Sequence, residues 1–426
     1  MTPAAFQSKV IREDWAILDF LRIFAAILVM LGHARFLYFG SPHDLVHMPK
    51  WETGIFFIIG LQHQAVVIFF VISGFLVGGP VVKLIGQLRF DLWTYLINRL
   101  TRIYLVLIPA LILAFIMDRV GAAALSGTNP HHDLLDGWSD FNLVCHLVSL
   151  QGLACLSHAD PPLWSLGYEW MLYLVGPLFI AILFSPLGWG ARSIALLMLL
   201  LTGLAVLPER TQWQFILAWF AGAAVYRWRE EIQAPLAVGL AGLPLVLAAC
   251  IIAAERKAPL FASDGLVVIG LVLIFGCNAL MSSTVLNSRF SHFAKPAGFS
   301  YSLYAIHLPV VVMCARLLQE FGLIDGNPGV NVSNGVALGI SVGVALLAAA
   351  GFSRLTEANT GAVRQAIQAR RASSRTRGAS AAAPPFSRER AERIVPQQVA
   401  GVGLEPARAA QDRAKDPTRF RDPGRQ

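Results

Sequence analysis

Apolar runs near 20 residues long, the length a helix needs to cross a bilayer, recur along this chain. They fall at about 16–39, 55–79, 99–118, 168–184, 191–207, 213–228, 236–253, 265–281, 299–320 and 334–352. Backbone in hydrocarbon must satisfy its hydrogen bonds internally, so each run is expected to be a helix. The expected fold class is an all-α polytopic membrane protein with about ten transmembrane helices. Charged residues are only 14% of the 426, against roughly 25% in soluble domains, which excludes a water-soluble enzyme.

The few charges are unevenly placed. Residues 1–353 hold 19 Lys+Arg and 19 Asp+Glu, net 0, whereas residues 354–426 hold 15 and 7, net +8. A neutral membrane body with one basic end implies positive charge kept on the cytoplasmic side, with membrane lipids and not nucleic acid as surroundings. Lys83, Arg89, Arg99, Arg102, Arg192, Arg227, Arg229, Arg289 and Lys295 then lie in cytoplasmic connections, and both termini are expected inside. The first run has the length of a span and lacks a cleavage-site pattern, so it is expected to be retained. Residues 354–426 are rich in Arg, Ala, Ser and Pro, a composition expected to stay disordered.

The longest interior connection, about 119–167, contains the apolar stretch FNLVCHLVSLQGL, which is too short to cross and reads as a re-entrant or interfacial segment on the outer side. Cys145 and Cys155 lie there and can pair in an oxidising compartment. No Cys/His spacing suggests a metal site.

Ionisable groups at a helix centre cost about 2.5 to 3.5 kcal/mol each on insertion scales, so each needs a reason. The first run, LDFLRIFAAILVMLGHA, holds Asp19, Arg22 and His33. Arg22 and His33 are separated by close to three helical turns, which puts them on one face about 16 Å apart. Asp19 and Arg22 are spaced as an i,i+3 ion pair, and the long Arg22 side chain can still reach a ligand. His33 taken alone is either a satisfied core histidine or a reacting group.

In VIFFVISGFLVGG, Ser73 and Gly74 mark a close helix contact. In NRLTRIY, Arg99 and Arg102 leave one side of a helix, either snorkelling to headgroups or forming paired forks for phosphate oxygens. PPLWSLGYEWMLYLVGPL carries Glu169, expected about one turn inside the outer end of its helix, with Tyr173 at i+4. At that depth Glu169 lies level with His33, which allows the base-plus-orienter arrangement of nucleophilic chemistry. GFSYSLYAIHLPVV gathers Ser300, Tyr301, Ser302, Tyr304 and His307, a density typical of a polar cavity or of interhelical hydrogen bonds.

These five segments, in this order, resemble the acyltransferase 3 family of integral membrane O-acyltransferases, typified by O-antigen acetylases. LDFLRIFAAILVMLGHA is similar to its first-helix signature, FFVISGFL to its second-helix motif, RLTRIY to its RxxR, LWSLGYEWMLY to its W-S-L-x-x-E-x-x-x-Y stretch and SYSLYAIHLP to its S-Y-x-x-Y-x-x-H-x-P. Phe20 and Ile23 depart from the small residues common beside the first-helix Arg, and Trp170 stands where many members have a second Glu.

The resemblance covers about 15–353 and implies transfer of an acyl group, most often acetyl, from cytoplasmic acyl-CoA to a hydroxyl of a glycan or other acceptor across the inner membrane. It implies that Arg22, Arg99 and Arg102 hold the CoA phosphates. His33 would act as general base or transient acyl carrier, oriented by Glu169. Ser73, Tyr173, Ser300, Tyr304 and His307 would line the cavity. The alternative reading of the same buried charges is a transporter of a lipid-linked or small hydrophobic solute.

Overall fold

The computed structural model describes residues 15–40, 59–124, 138–155, 160–184, 188–190, 192–194, 196–197, 213–254, 260–325 and 328–382. Its long helices are α1 (Ala16–Phe39), α2 (Gln62–Gly86), α3 (Leu92–Ala124), the short α4 (Asp140–Leu147), α5 (Trp164–Phe184), α6 (Trp213–Ile232), α7 (Leu236–Ala254), α8 (Leu260–Gly276), α9 (Ser300–Glu320), α10 (Val332–Leu355) and α11 (Thr360–Ala382). Among the described residues there is no strand, only an isolated bridge between Gln151 and Cys155. Among the described residues, seven helices are long and apolar enough to cross a membrane. The run at 213–228 is helical too, with Arg227, Arg229, Glu230 and Glu231 in its last turns, and 265–281 falls on the shorter α8 and the turn after it. The run at 191–207 lies largely outside the described residues.

Apolar stripes on the outside of the bundle follow helical spacing: Leu240, Leu243, Leu247 and Ile251 on α7, and Val336, Ile340, Val344 and Leu347 on α10, are all exposed. Such a surface would aggregate in water and is what lipid contact requires. Inside, aromatic side chains of α2, α6 and α8 (Phe75, Phe215, Trp219 and Phe275) are fully buried.

Side-chain pairings fix how the helices run. Arg22 meets Ser300 and His33 lies beside His307, so α1 and α9 run parallel. Tyr301 donates to the Ile103 carbonyl and Arg316 pairs with Asp118, so α3 runs with them. Tyr38 bonds Ser341 and Glu357 accepts from Ser302, so α10 runs the opposite way. The near end of the bundle is taken here as the one where α1 starts.

Helix α2 is interrupted by a π-helical turn at Gly74–Gly78. The cause is the contact with α6: a Cβ on Gly74 would lie 1.8 Å from the Trp219 carbonyl oxygen, and one on Gly222 would lie 2.0 Å from that of Val71. Two backbones approach so closely only where neither residue has a side chain.

The connection before α5 dips into the bundle. Trp138 donates to Asp118 toward the far end of α3, while Ser149 reaches Tyr104, fourteen residues or about 21 Å back along that helix. The Cys145–Cys155 disulfide closes the segment.

Residues 360–382 form helix α11, which differs from the disorder that the composition of 354–426 implies; the rest of that tail, 383–426, lies outside the described residues. The composition misleads because Ala, Arg and Gln are strong helix formers. The start of the segment is also anchored, since the buried Glu357 carboxylate accepts from the backbone N–H and the hydroxyl of Ser302, each at 3.0 Å.

Candidate functional site

Toward the near end, α1, α2, α3, α5, α9 and α11 enclose a cavity of about 370 Å³. Its polar lining is dominated by four guanidinium groups, from Arg22, Arg99, Arg102 and Arg364. The i,i+3 spacing brings Arg99 and Arg102 out on the same side of α3, as the sequence suggests. Arg22 is oriented by its own helix and by α9: it lies 3.6 Å from the Asp19 carboxylate and donates to Ser300 Oγ at 3.3 Å. The Arg99 guanidinium sits 5.4 Å from the centroid of the Tyr173 ring and 5.8 Å from that of Tyr95, close enough for cation–π attraction to hold it.

Glu169, Ser73 and Tyr173 form one hydrogen-bonded group on the same wall. Ser73 Oγ donates to Glu169 Oε1 at 3.2 Å, Tyr173 donates to the same oxygen, and the two hydroxyls are 3.3 Å apart. Ser73 is the last residue before the π turn, so the widened turn and the carboxylate contact coincide.

Glu169, which the sequence spacing puts level with His33, lies on the wall of the arginine cavity, and His33 does not line that cavity. The reason is the depth at which α5 begins. Pro161 and Pro162 open it beside Tyr304, whose hydroxyl meets Ser165 at 2.6 Å and the Pro162 carbonyl, only one turn along α9 from Ser300. The helix therefore starts well inside the bundle, and its sixth residue reaches the arginines.

His33 instead lies beside His307, with ring centroids 5.4 Å apart, and neither residue lines the arginine cavity. His307 is fully buried, and its Nδ1 is 3.1 Å and 2.9 Å from the carbonyl oxygens of Leu303 and Tyr304. Carbonyls only accept, so Nδ1 carries the proton and Nε2 presents a lone pair. That Nε2 is buried without a hydrogen-bond partner among the described residues.

Further groups escape a reading of the sequence. Arg364 lies in the segment expected to be disordered. Asp118 and Arg316 form a buried pair at 3.6 Å, about two and a half turns of α9 beyond His307, with Asp160 on the same small void. Burial pushes the Asp160 carboxyl well above the usual carboxylate range. Nothing local marks these residues: partners nearly 200 positions apart in the chain leave no spacing signal.

Two separate polar centres thus stand along α1 and α9, a cationic cavity at Arg22 and Ser300 and a histidine pair about 16 Å further along α1. The family model described as an acyltransferase domain matches residues 15–353. No curated protein matches the chain. No solved structure matches it either.

Proposed function

We propose, from the premise that the chain belongs to the acyltransferase 3 family, that the arginine cavity binds the phosphates of an acyl-CoA donor and that acyl transfer takes place at His33. The observation that carries this reading is the convergence of Arg22, Arg99, Arg102 and Arg364 on one cavity whose only lining carboxylate among the described residues is Glu169. Clustered guanidinium groups in a membrane protein are costly unless an anion compensates them, and their forks match phosphate oxygens in pairs. A carrier of small hydrophobic solutes has no use for such a cluster.

The donor then lies with its nucleotide end at the near, cytoplasmic end and its acyl-bearing arm along α1. Both termini are cytoplasmic on this reading. The disulfide at Cys145–Cys155 supports it, since such bonds persist on the oxidising side, here the periplasmic face of an inner membrane. The acceptor is a hydroxyl, in our reading that of a glycan, approaching His33 from that face, and the acyl group is acetyl.

His33 takes the acceptor's proton as its oxygen bonds the acyl carbon. The C–S bond breaks, and the proton passes to the leaving thiolate, giving an ester and free CoA. A two-step version, in which a ring nitrogen of His33 first carries the acyl group, uses the same residues. His307, whose ring centroid is 5.4 Å from that of His33 and whose Nε2 lone pair is unpartnered among the described residues, orients the reacting imidazole on this reading once donor and acceptor are bound. Glu169 with Ser73 and Tyr173 becomes the counter-charge that positions the arginines.

The test is transfer of radiolabelled acetyl from acetyl-CoA to added glycan by protein in liposomes. A labelled protein band that forms without acceptor and is absent in His33→Ala distinguishes the two-step route. Absence of both transfer and CoA binding in folded protein would overturn the proposal.

A further inference from the structure

Three contacts tie the segment after the last span to the arginine cavity. Glu357 is bonded to Ser302, two residues past the Ser300 that holds Arg22. Further along α11, Gln368 Nε2 donates to Asn98 Oδ1 at 3.5 Å, at the residue preceding Arg99. Between these two anchors the half-buried Arg364 lines the cavity, within charge range of Arg99 and Arg102. Its Nε is buried and has no hydrogen-bond partner among the described residues. Four like charges around one cavity, one of them on a docked helix, call for an anion of more than one charge.

We infer that Arg364 is a phosphate-binding residue of the donor site and that it takes the phosphate furthest from the thioester, the 3′-phosphate of the nucleotide. Gln368 meets Asn98, so α11 runs from the level of Ser302 toward the early turns of α3, and Arg364, one turn before Gln368, enters the cavity beside Arg99 and Arg102 from the α3 end further from His33. In an acyl-CoA whose thioester reaches His33, the group left at that position is the phosphorylated ribose. Arg364 lies beyond the residues that the family model matches, 15–353. The inference rests on the acyl-CoA reading of the cavity.

The experiment compares binding of CoA and of 3′-dephospho-CoA to full-length protein in detergent by calorimetry, with melting temperature recorded for every variant. Wild type should prefer CoA by about ten-fold or more, the worth of one charge-assisted phosphate bond. Arg364→Gln should lose about ten-fold in CoA affinity and change little toward dephospho-CoA, while Arg364→Lys should keep part of the preference. A wild-type preference in Arg364→Gln, or an equal loss for both ligands, overturns the inference. In that event loss of CoA binding in Arg99→Gln/Arg102→Gln would leave the donor site standing. Wild-type CoA affinity in that double variant would overturn the donor site and the inference together.

Discussion

Replacing His33 by alanine should separate chemistry from donor binding. His33 is eleven residues beyond Arg22 on one helix, so the two backbone positions stand about 16 Å apart along its axis, and His33 does not line the arginine cavity. A positioned general base contributes roughly 10²- to 10⁴-fold to a rate, so turnover should fall by at least 100-fold while the dissociation constant for CoA changes less than about two-fold. His307→Phe keeps an aromatic ring but removes the Nε2 lone pair. It should reduce turnover by less than His33→Ala and leave CoA binding unchanged. Adding His33→Ala to His307→Phe should cost little more than His33→Ala alone, because an orienting residue has no effect once the ring it orients is gone. The assay is acetyl transfer in liposomes, with insertion checked by protease protection and binding by calorimetry. Turnover above a tenth of wild type in His33→Ala would refute the reasoning and return His33 to the role of a core histidine. Additive losses in the double variant would refute the coupling to His307.

Arg99→Ala and Arg102→Ala should each weaken CoA binding by about 1 to 3 kcal/mol, and a calorimetric titration unchanged in the double variant would point to lipid snorkelling instead. Gly74→Ala forces a methyl group to 1.8 Å from the Trp219 carbonyl oxygen, an overpacking worth about 1 to 3 kcal/mol or more, so the protein should melt at lower temperature while Gly86→Ala, where nothing lies within 4 Å, should not. Truncation after Glu357 removes Arg364 and should reduce CoA affinity, whereas truncation after Ala382 should leave it intact; equal affinity in both would show that α11 contributes nothing to the site.

Much of the architecture is written in hydrophobicity, because a helix in lipid must announce itself over about 20 apolar residues. The expected runs at 16–39, 99–118, 168–184, 236–253, 299–320 and 334–352 fall on helices of the structure. The Arg99–Arg102 spacing is equally legible, since neighbours at i,i+3 share a face wherever the helix sits. The depth of Glu169 was not legible. Sequence spacing measures distance from the start of a helix, and α5 starts far inside the bundle because the preceding segment dips down to Tyr104. The pairing of Arg316 with Asp118 depends on how α3 and α9 align, which no local pattern records. Helix α11 was hidden for another reason: an Arg- and Ala-rich stretch has too little apolar surface to fold alone, and what holds it is a pair of polar anchors at Ser302 and Asn98.

The π turn of α2 has a consequence for phase. An α-helix advances about 100° per residue, and a π turn inserts one residue without a matching advance along the axis. The stretch from Gln62 to Ser73 therefore presents its faces to α1 and α8 in one angular setting, while Gly79–Gly86 meets α5 and α6 in another. Removing one residue between Gly74 and Gly78 would act less as a shortening than as a twist. Ser73 would stay against Glu169, and Lys83 would swing about a quarter turn away from Glu230, its partner at 4.0 Å.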